Sequence, residues 1–240
     1  VVLPGERIAT IQEACDVTLG DGVTFTEAAG GTEIIATMGG IIKMKLSDGG
    51  EPKSFTVGIE NVSAQYSPKV GDLVIGIIQR EIAGYYHVDI NYSLFPALLD
   101  FTSFDGATRY NRPRLQRGDV IFAHVIHADR GNEPEISCCA TSQVERRDWV
   151  TGESQFGLLK NGLVINTPNS FGRMLLEKPI PILERIGEVM SYQLAVGLNG
   201  RLWIFAETPK VCLGIAYLLE GCVAKGFEQM ENEVSNVFSS

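Results

Sequence analysis

Until about residue 156 the apolar positions of this chain recur mostly at every second residue, in short runs separated by glycine-bearing turns, and this predicts strands. Residues 33–38 and 41–46 read as the two arms of a hairpin, because Gly39-Gly40 between them supplies the positive φ that a two-residue turn demands. Residues 47–52 read as a second turn and 55–59 as a further short strand. Five more β signals follow at 73–79, 85–90, 95–101, 120–126 and 135–140, with Ala83-Gly84 turning the first into the second. Val70-Gly71-Asp72 and Arg117-Gly118-Asp119 each stand just before a strand, as turns that start it.

Five short strands with one long connection after the third predict a small closed barrel of the oligonucleotide-binding type. From about residue 156 the pattern becomes mixed. Residues 162–166 read as a strand, and Thr167 as the N-cap of a short helix with Pro168 at its first position. A second helix begins at Pro181, strands at 192–196 and 202–205 flank Gly197-Leu198-Asn199-Gly200, and Thr208-Pro209 open a long helix to about Lys225. The expected organisation is a mainly β, multidomain chain. An N-terminal β domain occupies 1–62, the five-stranded barrel 63–150 and an α/β domain 151–240.

Composition changes this picture little. The 240 residues are 45% hydrophobic and 20% charged, ordinary for a globular protein, and no apolar run approaches the length of a membrane span. The five cysteines (Cys15, Cys138, Cys139, Cys212 and Cys222) and the histidines His87, His124 and His127 lack the spacing of a metal site, so no metal and no cofactor is expected. The cysteines read as reduced thiols of an intracellular protein. Nor does any P-loop, nucleophile elbow or tight acidic cluster suggest catalysis. Asp89 and Asp100, on neighbouring strands, are the best carboxylate pair, and they read as solvated edge or turn residues.

Charge changes it more. Arg109, Arg112, Arg114 and Arg117 fall within a stretch that has no acidic residue between Asp105 and Asp119, in a protein of net charge −9. Guanidinium groups fork onto phosphate oxygens, Tyr110 offers a ring to a base, and Asn111 and Pro113 argue for an outward-facing loop. Tyr85, Tyr86, His87 and Phe95 are further candidate base platforms, although alternation sends half of any strand's side chains inward. An acidic pI near 4.9 speaks against a free-standing nucleic-acid binder. Either RNA is not the ligand, or its binding is shared with other subunits.

Several phrases carry a resemblance. Residues 66–76 and 84–90 resemble the opening of an S1 RNA-binding domain, and 106–115 resembles a signature of the cap subunits of the RNA exosome. Residues 133–136 and 196–203 narrow the match to the component 3 branch of that family over the paralogous component 2 branch. The resemblance covers nearly the whole chain, in the order N-terminal β domain, S1 barrel, KH domain. It implies a non-catalytic subunit in the nucleus, nucleolus and cytoplasm that bridges RNase PH-like ring subunits beside the other cap subunits. Such a subunit guides single-stranded RNA, 3′ end first, toward associated exoribonucleases for rRNA processing and RNA decay. No membrane is involved. The basic positions of the family fall on Arg109, Asn111 and Arg112, with Arg114 and Arg117 extending the run. Tyr110 stands where many relatives carry a second basic residue.

The KH domain invites an RNA-binding role that these residues do not support. A KH clamp needs G-x-x-G between two helices, where small residues let a phosphate backbone approach. Here that link is Leu176-Glu177-Lys178-Pro179, which has no glycine and carries a carboxylate. Gly197, Asn199 and Gly200 lie instead between two strands, where Asn199-Gly200 reads as a type I′ hairpin pair with a structural role. The remaining alternative is an assembly subunit whose arginines meet protein rather than RNA.

Overall fold

The structure, a computed structural model, describes residues 1–11, 16–20, 22–28, 31–46, 54–60, 66–92, 94–129, 131–141, 154–177, 180–227, 230 and 234. The chain divides into two compact units, Val1–Ser63 and Ala64–Ser240.

The first unit holds two three-stranded sheets. Strands β1 (Arg7–Thr10), β4 (Gly31–Ala36) and β3 (Val23–Ala28) form one in the order β1-β4-β3; β2 (Asp16–Leu19), β6 (Ser54–Glu60) and β5 (Ile41–Leu46) form the other in the order β2-β6-β5. Val2, Ala36 and Ile59 form a buried cluster, and Ile34 and Val57 are buried as well. The hairpin expected across Gly39-Gly40 does not form. Both edges of β4 are already occupied, by β1 and β3, so β5 pairs with β6 instead. Neither Gly39 nor Gly40 takes a positive φ, and Gly40 forms an antiparallel bridge with Val2. The turn expected at 47–52 lies outside the described residues, as does Cys15.

The second unit begins with the barrel. Strands β7 (Leu73–Ile82), β8 (Tyr85–Asp89), β9 (Ala97–Phe104), β10 (Val120–His127) and β11 (Glu135–Cys138) fall where the alternation placed them. β7, β8 and β9 pair antiparallel in succession, β11 runs parallel to β9, and β10 closes the barrel by pairing with both β7 and β11. Ala83 and Gly84 both adopt positive φ, as a two-residue turn between β7 and β8 requires. Ile75, Val88, Leu99 and Ile121 fill the interior. A short strand, β12 (Gly157–Leu159), extends β10 on the side that β11 leaves open.

The α/β domain follows as β13 (Leu163–Asn166), α1 (Asn169–Glu177), α2 (Pro181–Val189), β14 (Tyr192–Val196), β15 (Arg201–Ala206) and α3 (Pro209–Lys225). Its sheet has the order β13-β15-β14, and the helices bury Phe171, Ile186, Ile215 and Leu219 against it. Thr208 caps α3 as expected, its hydroxyl accepting from Val211 N–H at 3.4 Å. Thr167 is not the cap predicted for α1. Its backbone N–H donates to Gly200 O, which turns the residue into the sheet edge, and its buried hydroxyl makes no hydrogen bond. Among the described residues, no helix is long and apolar enough to cross a membrane.

Trp203 joins the two parts of this unit. It stands on β15 but is buried in the barrel's hydrophobic cluster, where Val164, Ala195 and Phe205 pack beside it. The barrel's core therefore extends onto the outer face of the α/β sheet, while the helices keep a second core on its other side, and this joint fits their behaviour as one compact unit.

Candidate nucleic-acid interface

The connection from β9 to β10 carries the arginines. It leaves β9 through a turn closed by Ala107 N–H to Phe104 O, at 3.0 Å. A small ring follows, in which Thr108 N–H donates to Asn111 O at 2.8 Å and Asn111 N–H donates to Thr108 Oγ1 at 3.1 Å. It reaches β10 through a turn in which Gln116 N–H donates to Asp119 Oδ2 at 2.7 Å. At its far end Gly118 N–H donates to Ile78 O of β7 and Asp119 O accepts from Ile78 N–H, both at 2.9 Å, while the stretch from Thr108 to Arg117 pairs its backbone with no strand.

Arg109, Tyr110, Asn111, Arg114 and Arg117 are exposed, Tyr110 completely. Arg109, Arg114 and Arg117 have no ion-pair partner among the described residues. Three guanidinium groups and one ring are thus presented together on a tethered segment.

Arg112 differs. Its guanidinium carbon sits 3.6 Å from the centroid of the Phe101 ring, and its Nη2 is 3.6 Å from Glu81 Oε1. Pro113 and Leu115, on either side of exposed Arg114, are buried. Both are tied to Tyr86 on β8: the phenol donates to Pro113 O at 3.0 Å and accepts from Leu115 N–H at 3.4 Å.

The candidate base platforms separate by parity. Tyr86 shares a face with Val88 and is 1% exposed, so it belongs to the core. Tyr85 and His87 point outward, Tyr85 being 40% exposed, and Phe95 is half-buried outside any strand. The alternation of Tyr86, Val88 and Ile90 was a sufficient signal for the burial of Tyr86. Glu81 and Phe101 gave no comparable signal for their contact with Arg112.

The turn between β14 and β15 is the opposite kind of site. Asn199 is fully buried, and its side chain meets the barrel rather than solvent. Ile75 N–H donates to its Oδ1 at 3.2 Å, and its Nδ2 donates to Ile75 O at 2.8 Å and Ile90 O at 3.0 Å. Its backbone oxygen accepts from Asn91 Nδ2 at 3.0 Å, and the neighbouring Leu198 N–H donates to Leu73 O at 2.7 Å. The expected type I′ pair is absent. Gly200 has φ +73° but Asn199 is not at positive φ, because its backbone is set by contacts with β7 and β8 instead of by the hairpin alone. A Cβ on Gly200 would lie 2.6 Å from Thr167 O, and one on Gly197 would lie 2.9 Å from Arg201 O.

Arg201 completes this contact. Its Nη1 donates to Asp89 O at 2.6 Å and its Nη2 meets Asp89 Oδ2 at 2.7 Å. Asp89 is therefore not the solvated edge residue expected, since an arginine from the α/β domain reaches it. Asp100 is opposite Tyr85 in the β8–β9 register, four residues from Asp89, and turns back to accept from Thr102 N–H at 2.7 Å. The two carboxylates do not meet. The described residues contain no cluster of side chains able to hold a metal ion.

Burial sets the titration of a few groups. The Tyr66 phenol is pushed up, mainly by desolvation and then by Asp72, to which it donates a 2.8 Å hydrogen bond. Burial holds the His124 imidazole below its ordinary value, partly offset by Asp105. Burial also raises the Cys222 thiol to about 11 and the Cys138 thiol well above its usual value, which keeps both protonated and inert.

Comparison with known proteins follows the same division. Residues 66–148 match the family model for the S1 domain of exosome complex component RRP40, and residues 162–210 match a KH domain model. The chain is 30% identical to exosome complex component RRP40 of Drosophila melanogaster, covering 99% of this chain and 95% of that protein. It is 32% identical to the Schizosaccharomyces pombe rrp40 protein, covering 91% and 86% respectively. A crystal structure provisionally named an exosome complex RNA-binding protein superposes with a TM-score of 0.54 at 21% identity, over 72% of this chain and 97% of that one.

Proposed function

This chain belongs to the exosome complex component RRP40 family, and from that premise we propose that it is a non-catalytic, RNA-binding subunit of an exosome. RRP40 is the component 3 branch that residues 196–203 favoured. In this reading the subunit caps a ring of RNase PH-like subunits, bridges two of them, and guides RNA 3′ ends into the shared channel. It acts in the nucleus, nucleolus and cytoplasm, upstream of exoribonucleases that do the cutting.

The observation that carries the RNA reading is the exposed triad Arg109, Arg114 and Arg117, without acidic partners among the described residues, with Tyr110 fully exposed among them. Each guanidinium takes a phosphate oxygen, Asn111 adds a neutral donor, and Tyr110 stacks on a base for about 1–3 kcal/mol. None of these contacts reads base identity, so binding is sequence-indifferent. Two to four phosphate contacts give modest affinity that falls steeply with salt, by about 0.7 in log K per contact per log unit of salt for a single strand. Loose holding suits a guide through which RNA must thread. The acidic remainder of the chain is consistent with a charge requirement shared among subunits.

The turn at Gly197, Asn199 and Gly200 is assigned a scaffold role on the burial of Asn199 and its bonds to β7 and β8. An RNA strand cannot reach that side chain while the barrel and the α/β domain remain joined.

Mass spectrometry of the natively purified complex tests the assignment. RNase PH-like subunits are expected to co-purify, and a lone monomer overturns it. Within the complex, Arg109→Glu with Arg114→Glu is expected to weaken RNA protection without unfolding the subunit. Unchanged protection would leave the arginines as contacts to protein.

A further inference from the structure

We infer that Tyr86 and Arg112 are positioning residues for RNA binding: they fix the shape of the arginine loop and do not themselves touch RNA. The inference deepens the phosphate-contact reading and rests on it.

Tyr86 is 1% exposed and cannot stack on a base, yet its hydroxyl is the tether of the loop's second half. It donates to Pro113 O and accepts from Leu115 N–H, and so it holds the backbone on both sides of Arg114. With Pro113 and Leu115 drawn inward, the residue between them faces solvent.

Arg112 continues the same anchor. The Phe101 ring lies 4.6 Å from the Tyr86 ring, tilted by 54°, and the Arg112 guanidinium carbon lies 3.6 Å from the Phe101 centroid, so Phe101 is in contact with both. Glu81, paired opposite Tyr86 in the β7–β8 register, stands 3.6 Å from Nη2. A phosphate approaching Arg112 meets this carboxylate, and Nη1 is buried away from solvent. Among the described residues, no carboxylate pairs with Arg109, Arg114 or Arg117.

An anchor is needed because the stretch from Thr108 to Arg117 bears like charges and pairs its backbone with no strand, the bonds to β7 beginning only at Gly118. Unanchored, it would spread over many shapes, and apparent affinity is scaled by the fraction in the competent one. Tyr86 and Arg112 raise that fraction, and the exposed arginines make the contacts.

The test uses the assembled complex and a 4-thiouridine-bearing oligouridylate, with photocrosslinking to this subunit measured against RNA concentration at several KCl concentrations. Tyr86→Phe, which removes only the hydroxyl, is expected to weaken binding about two- to tenfold, the range for one lost hydrogen-bonding group. Arg112→Met, which keeps length and packing on Phe101, is expected to weaken binding while leaving the salt slope as it was. Arg109→Ala is expected to reduce the slope by about 0.7, as loss of a phosphate contact requires. Co-migration of each variant with the complex verifies that it folds and assembles. If Arg112→Met reduces the slope as Arg109→Ala does, Arg112 is a phosphate contact and the inference fails. Wild-type affinity for Tyr86→Phe also overturns it. Both results leave the RNA reading intact, which fails separately if Arg109→Ala with Arg114→Ala and Arg117→Ala changes neither affinity nor slope.

Discussion

The arginine loop and the segment from Gly197 to Arg201, where the turn enters β15, contain similar chemistry and face opposite environments. Each offers asparagine and arginine, the donors by which proteins bind phosphate. In the loop, Arg109, Asn111, Arg114 and Arg117 face solvent. Across the turn and the start of β15, Asn199 and Arg201 are buried, and their donors are spent on Ile75, Ile90 and Asp89 of the barrel. A donor already satisfied inside the protein has nothing left for a ligand, and displacing its partner would leave a buried polar group unpaired. The same residue types thus serve as contacts in one place and as adhesive in the other.

The sharpest way to break the buried half is Gly200→Val. It places a branched side chain at φ +73°, against Thr167 O, and is expected to cost about 4 kcal/mol or more, read as loss of the cooperative thermal transition. Asn199→Ala removes its bonds to Ile75 N–H and Ile90 O, and leaves Ile75 O only the longer 3.5 Å contact from Arg201 Nη1. A loss of about 3 kcal/mol is expected in denaturant unfolding, with little change in RNA crosslinking to the arginine loop in the surviving folded protein.

The exposed half behaves in the reverse way. Replacing Arg109, Arg114 and Arg117 by alanine is expected to weaken RNA binding about tenfold or more, roughly 1.4 kcal/mol, while the melting temperature stays within a degree or two. The smallest effect concerns pH. His124 is held below its ordinary value in the folded protein, so the unfolded chain binds the extra proton first as pH falls. The contribution linked to His124 is therefore full above about pH 6.5 and declines below it. His124→Gln is expected to flatten that decline in urea midpoints measured between pH 7.5 and 5.

Much of the fold was legible from local pattern. Strands β7 to β11 announced themselves by alternation, and the Ala83-Gly84 turn by its positive-φ residues, because both are properties of a few consecutive positions. Legibility ended where distant segments decided. Gly39-Gly40 has the composition of a hairpin turn, but β1 and β3 occupy the edges that β5 would need. Asn199-Gly200 has the composition of a type I′ pair, yet contacts to Ile75 and Ile90, more than a hundred positions away, fix it otherwise. The four arginines were equally visible as sequence. That Arg112 differs from the others depends on Phe101 and Glu81, which lie on strands that folding brings beneath the loop.

The contrast between the two regions is the central claim, and mapping crosslinks tests it most directly. A 4-thiouridine RNA threaded into the assembled complex would be irradiated, digested, and its adducts located on this subunit by mass spectrometry. Adducts are expected within residues 109–117, at Tyr110 above all, and absent from 197–200. Adducts on Asn199 or Gly200 with none in the arginine loop would contradict the account.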